Sequence, residues 1–566
     1  MMAAAFAFAE PGSAPGTALW RALARGARAR LVLAGAASLV GGIATTGLIV
    51  LINGALHASE PARADRVAAF AATALLACAA LVVSRALFAD LGQRGLADLR
   101  SAIAARVQAA AFADLEAVGS ARVQALVTED ANQVANFLTA LPVLVTNCAV
   151  VAATLAYLGY LSFPLFLASA LTIALGAAGY SACYGRVTRH LARAGAEQDR
   201  LVGHFQALHG GAKELRLNRE KGRHFLDAVL ATAIARVADH RRRGLALLAL
   251  AAGWGRILFL ALIGLALFVP GTGAQSQAVT TGYVIALLYL MGPLEAVLNT
   301  MPLVNLARVG ARRIEAAFAE LPPEPVGDPG TGPAAPRRDA TVTLRGVTHH
   351  RADPQTGDRF DLGPVDLTLR PGEITFLVGG NGSGKTSLAR VIAGLHPPTG
   401  GTLCLDGRPV AGAALAGYRA HVAAVFSDFH LFETLLGRPD AAREAQARAW
   451  LARLGLDGRV SLRDGVFSTR DLSTGQRKRL ALLVACLEDR PVMIFDEWAA
   501  DQDPDSRAAF YETLLPELAA EGRTILVVTH DDRWFDRADQ VVKLERGLVV
   551  EHRAAPPRGR QAGAGA

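Results

Sequence analysis

The chain has 566 residues, too many for one domain and suited to three or four folding units. It is 52% hydrophobic yet 19% charged, which excludes a uniformly soluble protein and fits a membrane part joined to a polar part. The net charge is +8, but the arginines flank apolar runs, so the excess reads as positive-inside topology rather than nucleic-acid binding.

In chain order, residues 1–20 are small and apolar without a basic leading region, and read as a loose tail rather than a cleaved signal. Arg21, Arg25, Arg28 and Arg30 then precede an apolar run over 31–56, enough to cross a bilayer, which takes about 20 residues. Further spans are predicted over 67–88, 137–160, 165–180, 245–269 and 279–303, with a break at Ser162-Phe163-Pro164. Two long charged stretches, 90–136 and 184–243, separate them and are periodic enough to extend the spans as helices. Cations concentrate in the N-terminal tail, these two stretches and the segment holding Arg308, Arg312 and Arg313, which puts both termini and both long loops in the cytoplasm. Arg256, Glu295, Asn53 and Asn147 are polar residues within spans and candidate cavity residues. The membrane domain is thus 21–320, followed by a Pro/Gly linker over 321–340, a soluble domain over 341–553 and a disordered tail over 554–566. Residues 341–345 alternate like an edge strand. The predicted fold class is a six-span α-helical membrane bundle fused to an α/β P-loop NTPase domain. Cys78, Cys148, Cys183, Cys404 and Cys486 are scattered and read as buried small residues, neither a disulfide framework nor a metal site.

The soluble domain carries the chemistry. Gly379-Gly380-Asn381-Gly382-Ser383-Gly384-Lys385-Thr386 fits the phosphate-binding loop, with a strand-like run before it and a helix-like run from Ser387 after it. Its glycines let backbone N–H groups close on phosphate oxygens. Lys385 is expected at the β/γ-phosphates of ATP and Thr386 at Mg²⁺. The apolar strand 491–495 ends in Asp496, a candidate Mg²⁺ ligand, and Glu497, a candidate general base. A second strand, 524–529, delivers His530 to the same end, where it can orient the attacking water.

Between these lies Leu472-Ser473-Thr474-Gly475-Gln476, and here the sequence resembles the ATP-binding cassette transporters, whose signature is L-S-G-G-Q. The resemblance implies that Ser473, Gly475 and Gln476 contact nucleotide held by a second cassette, and that Asp503 lies in the D-loop crossing the same interface. It covers nearly the whole chain and is closest to bacterial cyclic-peptide and peptide-siderophore exporters of the pyoverdine, syringomycin and microcin type. The implied protein is a homodimeric half-transporter of the cytoplasmic (inner) membrane that exports a peptide-like substrate; lipid or multidrug export and a non-transporting regulatory ATPase are the alternatives. Three positions depart from the family pattern. Ser427 stands where a Gln would reach Mg²⁺, with Asp428 or water as a substitute; the adenine-stacking aromatic falls on Arg351; and residues 461–470 lack the acidic segment expected before the signature. Short coupling helices are expected over 116–128 and 204–217.

Overall fold

The computed structural model describes residues 28–57, 64–268, 277–325, 339–352, 359–437 and 440–554. The expectations for the terminal tails, Arg21, Arg25, most of the 321–340 linker and the Arg351 side chain therefore lie outside the described residues. Two compact units emerge, one of residues 1–104 and 124–316, the other of residues 105–123 and 317–566.

The first unit holds six long apolar helices: Arg28–Leu56, Ala64–Ala109, Ser120–Leu161, Phe163–Gly210, Arg219–Phe268 and Gln277–Glu320. Five of them exceed 40 residues, so the charged stretches continue the spans as helix. At 1.5 Å per residue such helices reach well beyond a hydrocarbon core of about 30 Å. Ser162, in extended backbone at φ −163°, separates the third and fourth spans, and Pro164 begins the next helix where its missing N–H costs nothing. Small and hydroxyl-bearing residues set the helix crossings, as they do where lipid supplies no hydrophobic drive. A Cβ on Gly42 would come within 2.7 Å of Ala149 and 2.8 Å of the Thr146 carbonyl. Ser38 meets Ser84 at 2.5 Å, Thr46 meets Thr154 at 3.3 Å, and Asn53 donates to Tyr157 Oη at 3.0 Å. Asn147 donates to the Val143 carbonyl in its own helix, while Asn53 Oδ1 stays buried without a hydrogen-bond partner. Large apolar side chains such as Leu75, Leu250 and Phe268 stay exposed on the outer faces, as lipid-facing positions require.

In the second unit, a six-stranded sheet runs β12-β11-β3-β10-β9-β6, with β3 Ile374–Val378, β6 Val422–Val425, β9 Val492–Asp496, β10 Thr524–Val528, β11 Gln540–Glu545 and β12 Leu548–Ala554. All neighbours are parallel except β12 on β11. Strands β3, β9 and β10 are buried at every residue, because both faces are covered. Phe376, Phe495 and Val527 enter one core with the Thr474–Leu487 helix, while Leu377, Ile494 and Leu526 enter the other with the Lys385–Ile392 helix.

The second core is closed by a four-stranded antiparallel sheet ordered β2-β1-β4-β5, formed by β1 Val342–Ala352, β2 Arg359–Leu369, β4 Gly400–Leu405 and β5 Arg408–Pro409. The expected edge strand at 341–345 is therefore an interior one. It pairs Leu344 with Leu367 on one side and with Leu403 on the other. Alternation reported its half-buried face correctly but carries no information on how many neighbours a strand has.

Candidate functional site

Strand β3 stops at Val378 and the chain turns through Gly379 (φ 147°) and Gly384 (φ 101°) into the Lys385–Ile392 helix. Side chains at either glycine would collide. A Cβ on Gly379 would lie 2.2 Å from the Leu544 carbonyl, and one on Gly384 would lie 2.8 Å from the Phe360 ring. Gly380 and Gly382 have open space around them, and Asn381 is exposed at the loop tip. Lys385 is 5% exposed, and its ammonium donates to the carbonyls of Gly379 at 3.0 Å and Gly380 at 2.9 Å, arched over the loop. Burial pushes its pKa below the ordinary lysine value, and the charges of Glu497 and Asp496 push it back up. The Ser383 hydroxyl is buried in the loop with no hydrogen-bond partner. Such an orphan is costly in a finished structure and suits an anion seated in the cradle.

The parallel neighbours β9 and β10 bring the acids and His530 to the same edge. Asp496, fully buried, accepts from Thr386 Oγ1 at 3.4 Å and from Ser427 Oγ at 3.3 Å. Burial raises the pKa of its carboxyl above the usual aspartate range and the charge of Glu497 adds to this, while the two hydroxyls hold it down. Thr386, Ser427 and Asp496 thus form an all-oxygen donor set of the kind Mg²⁺ takes, and a bound ion would lower the cost of keeping Asp496 ionised there. Asp428 is corrected as a substitute magnesium ligand: its carboxylate is taken by Arg390 at 2.8 Å. Glu497 follows in left-handed backbone, φ 52° and ψ 33°, and its carboxylate meets His530 Nε2 at 3.0 Å. Ser387 continues the helix after the loop.

Ser473, Gly475, Gln476 and Asp503 form a separate cluster. Ser473 caps the Thr474–Leu487 helix in a reciprocal box: its Oγ accepts from Gln476 N–H, and Gln476 Oε1 accepts from Ser473 N–H. Gln502 donates to the Gly475 carbonyl at 3.1 Å and accepts from Arg479 Nε at 2.9 Å. Arg479 also pairs with Asp503, whose other oxygen caps the next helix at Ser506 N–H. These N–H contacts hold the Asp503 carboxyl below the usual range. Among the described residues, no hydrogen bond or ion pair joins this cluster to the phosphate loop.

Sequence reading missed three participants. Lys478, 4% exposed, donates to the Glu497 carbonyl at 2.7 Å and pairs with Asp501 at 2.7 Å. Trp498 donates to the Lys478 carbonyl at 2.8 Å and stacks on Phe510. Phe360 lays its ring against the phosphate loop at Gly384. Arg477, Lys478 and Arg479 are all basic, and only its place on the buried face of the helix distinguishes Lys478.

The Phe112–Val118 helix belongs to the cassette unit. Its Glu116 bridges Arg390 at 2.9 Å and His396 at 3.2 Å, and Phe112 stacks on His396. The expected docking segment at 116–128 therefore sits four residues too late. Gly119 at φ 80° ends the short helix, and residues beyond it belong to the third span. The second segment contains a short helix, Ala212–Leu217, whose Leu217 is 89% exposed.

A phosphate loop, a strand-end acid pair and a capped signature helix on a six-span membrane domain define an ATPase that drives transport. Residues 362–500 match the family described as "ABC transporter". The chain is 34% identical over 535 residues to the "ATP-binding protein SyrD" of Pseudomonas syringae pv. syringae, covering 93% of this chain and 94% of that protein. The chain belongs to the ATP-binding cassette (ABC) transporters and is a half-transporter of the exporter type. It is also similar to the "ATP-dependent lipid A-core flippase" of Cupriavidus metallidurans, 31% identical over 75% of this chain and 72% of that one, and to that of Paraburkholderia xenovorans, 28% identical over 88% and 84%. Its fold matches that of a bacterial Atm1-family ABC exporter with ATP bound, with a TM-score of 0.74 at 18% identity over 93% of this chain and 95% of that one. The protein is a multi-pass membrane ATPase whose hydrolysis is coupled to transport.

Proposed function

We propose that the chain works as a homodimer in the bacterial inner membrane, with both termini cytoplasmic, and exports a cyclic or non-ribosomal peptide, a siderophore or its precursor among them. The observation that carries this is the relation to SyrD over most of both chains, at higher identity and coverage than those two lipid A-core flippases. The motif set from Leu472 to Arg479 and from Asp496 to Pro504, which resembles the peptide exporters, supports it.

In this reading Lys385 and the loop N–H groups hold the ATP phosphates, and Ser383 Oγ, otherwise unpartnered, takes one of their oxygens. Mg²⁺ would sit among Thr386, Asp496 and Ser427 and would neutralise phosphate charge. Glu497 polarises the attacking water, and His530 beside it fixes the orientation. Ser473, Gly475, Gln476 and Asp503 serve the phosphate loop of the second subunit. Closure of the two cassettes drives the spans from inward-facing to outward-facing, and hydrolysis resets them.

Mass spectrometry of medium and cell extract, from cells carrying the wild-type chain or Glu497→Gln, tests the reading. A peptide that leaves the medium and accumulates inside Glu497→Gln cells is the expected result. No peptide difference under iron-poor or stationary conditions, with altered lipid distribution instead, would favour the second reading, lipid export, to which the flippase relatives point.

A further inference from the structure

The fourth, fifth and sixth spans enclose a cavity of about 320 Å³ that the ATPase machinery does not use. It lies wholly within the membrane unit. Its wall is mainly apolar, with Phe259 and Met291 among the lining residues, but two charges of opposite sign enter it, Arg256 from the fifth span and Glu295 from the sixth. Arg256 lies about 18 Å along the helix from its end at Phe268, at 1.5 Å per residue, so it is well inside the span rather than at its rim. Neither Arg256 nor Glu295 makes an ion pair or hydrogen bond with another described residue. Tyr180 lines the same cavity, and its hydroxyl is buried without a partner. Phe259 of its wall also belongs to a buried apolar cluster with Leu262, Ile263, Tyr283, Leu287 and Leu290.

Charges at membrane depth are expensive and are normally paired with each other or face something that needs them. Here two opposite charges line one cavity without neutralising one another, and a third polar atom waits beside them. We propose that this cavity is the cargo site and selects a zwitterionic ligand: Arg256 takes a carboxylate, Glu295 takes an ammonium group, and Tyr180 Oη bonds a neutral amide between them. This rests on the peptide-export reading and deepens it. A polyanionic lipid headgroup would meet Glu295 as a like charge, and a cationic drug would meet Arg256. A peptide segment carrying both charges satisfies all three groups, and its apolar remainder fits the wall.

The test uses the full-length protein in nanodiscs and three small probes of equal size. These are the cyclic dipeptide of lysine and aspartate (zwitterion), of lysine and asparagine (cation), and of norleucine and aspartate (anion). Equilibrium binding to the wild type should favour the zwitterion over either analogue by about tenfold or more, the order of one charge-assisted hydrogen bond. Arg256→Gln should erase the preference for zwitterion over cation, and Glu295→Gln the preference for zwitterion over anion. Monodisperse elution of each variant shows that it has folded. Equal binding of the three probes within twofold, binding of none, or variants that keep the wild-type selectivity would overturn the assignment. Selective binding supports the cavity even if no peptide differs between wild-type and Glu497→Gln cells. Flat binding removes it even if one does, so the two readings fail separately.

Discussion

Glu497 occupies left-handed backbone, a region that costs a non-glycine residue and persists only when its surroundings enforce it. Three contacts do so: its N–H donates to the Val528 carbonyl at 3.1 Å, its own carbonyl takes the Lys478 ammonium, and Trp498 fixes the Lys478 backbone from the next position. Replacing Glu497 by Gln removes the proposed base without changing shape, so ATP turnover should fall by roughly 10²–10⁴ while nucleotide still binds; Lys385→Ala should also abolish turnover, and normal ATPase activity in either variant would refute these roles. Lys478→Met removes a charged hydrogen bond worth about 1.5–3 kcal/mol and frees the Glu497 peptide. Steady-state kinetics should show kcat down by about tenfold to a hundredfold with KM for ATP nearly unchanged, because Lys478 positions the base and touches no phosphate. A KM rise at unchanged kcat would place it elsewhere. The phosphate loop, Asp496, Glu497 and His530 were legible because a strand, a turn and a helix have distinct residue patterns that bracket them. Lys478 was not, since its role depends on a tertiary neighbour 19 residues away and a buried lysine looks like any other in a basic run.

At the scale of elements, the six spans could be read from apolar length alone, and their helical extensions from periodicity. The position of the docking helix could not. The Phe112–Val118 helix is only seven residues long, and its partners Arg390 and His396 lie far away in sequence. Arg390 joins this helix to the residue next to Ser427. Its guanidinium pairs with Glu116 at 2.9 Å and Asp428 at 2.8 Å, and lies over the Phe112 ring. It is 8% exposed, so these pairs are poorly screened on its side. Arg390→Met should break the link from the magnesium-side Ser427 segment to the helix that connects with the spans. ATPase activity of the purified protein should persist within a fewfold, while cargo export in vesicles drops by an order of magnitude. Glu116→Gln should weaken export in the same direction, and the two changes together should do little more than Arg390→Met alone, as expected for partners in one network. Additive losses would mean that the two side chains act independently.

At the scale of the whole molecule, the two clusters around the nucleotide chemistry are each assembled locally, and among the described residues no hydrogen bond or ion pair joins the Ser473 cluster to the phosphate loop. The phosphate loop with Asp496, Glu497 and His530 lacks a signature partner, and the Ser473 cluster lacks a phosphate. The chain carries one of each, so two copies related by a twofold axis would supply two composite sites, each with the loop of one subunit and the signature of the other. Complementation distinguishes this from a site built within one chain. A subunit carrying Lys385→Ala has a dead loop and an intact signature; one carrying Ser473→Arg has the reverse. In the mixed dimer of these two, one composite site joins both defects and the other joins the sound loop to the sound signature. ATPase activity, absent from either variant alone, should reappear in co-purified mixed dimers tagged on each subunit. If each chain instead completed its own site, every site in the mixture would carry one defect and no activity would return.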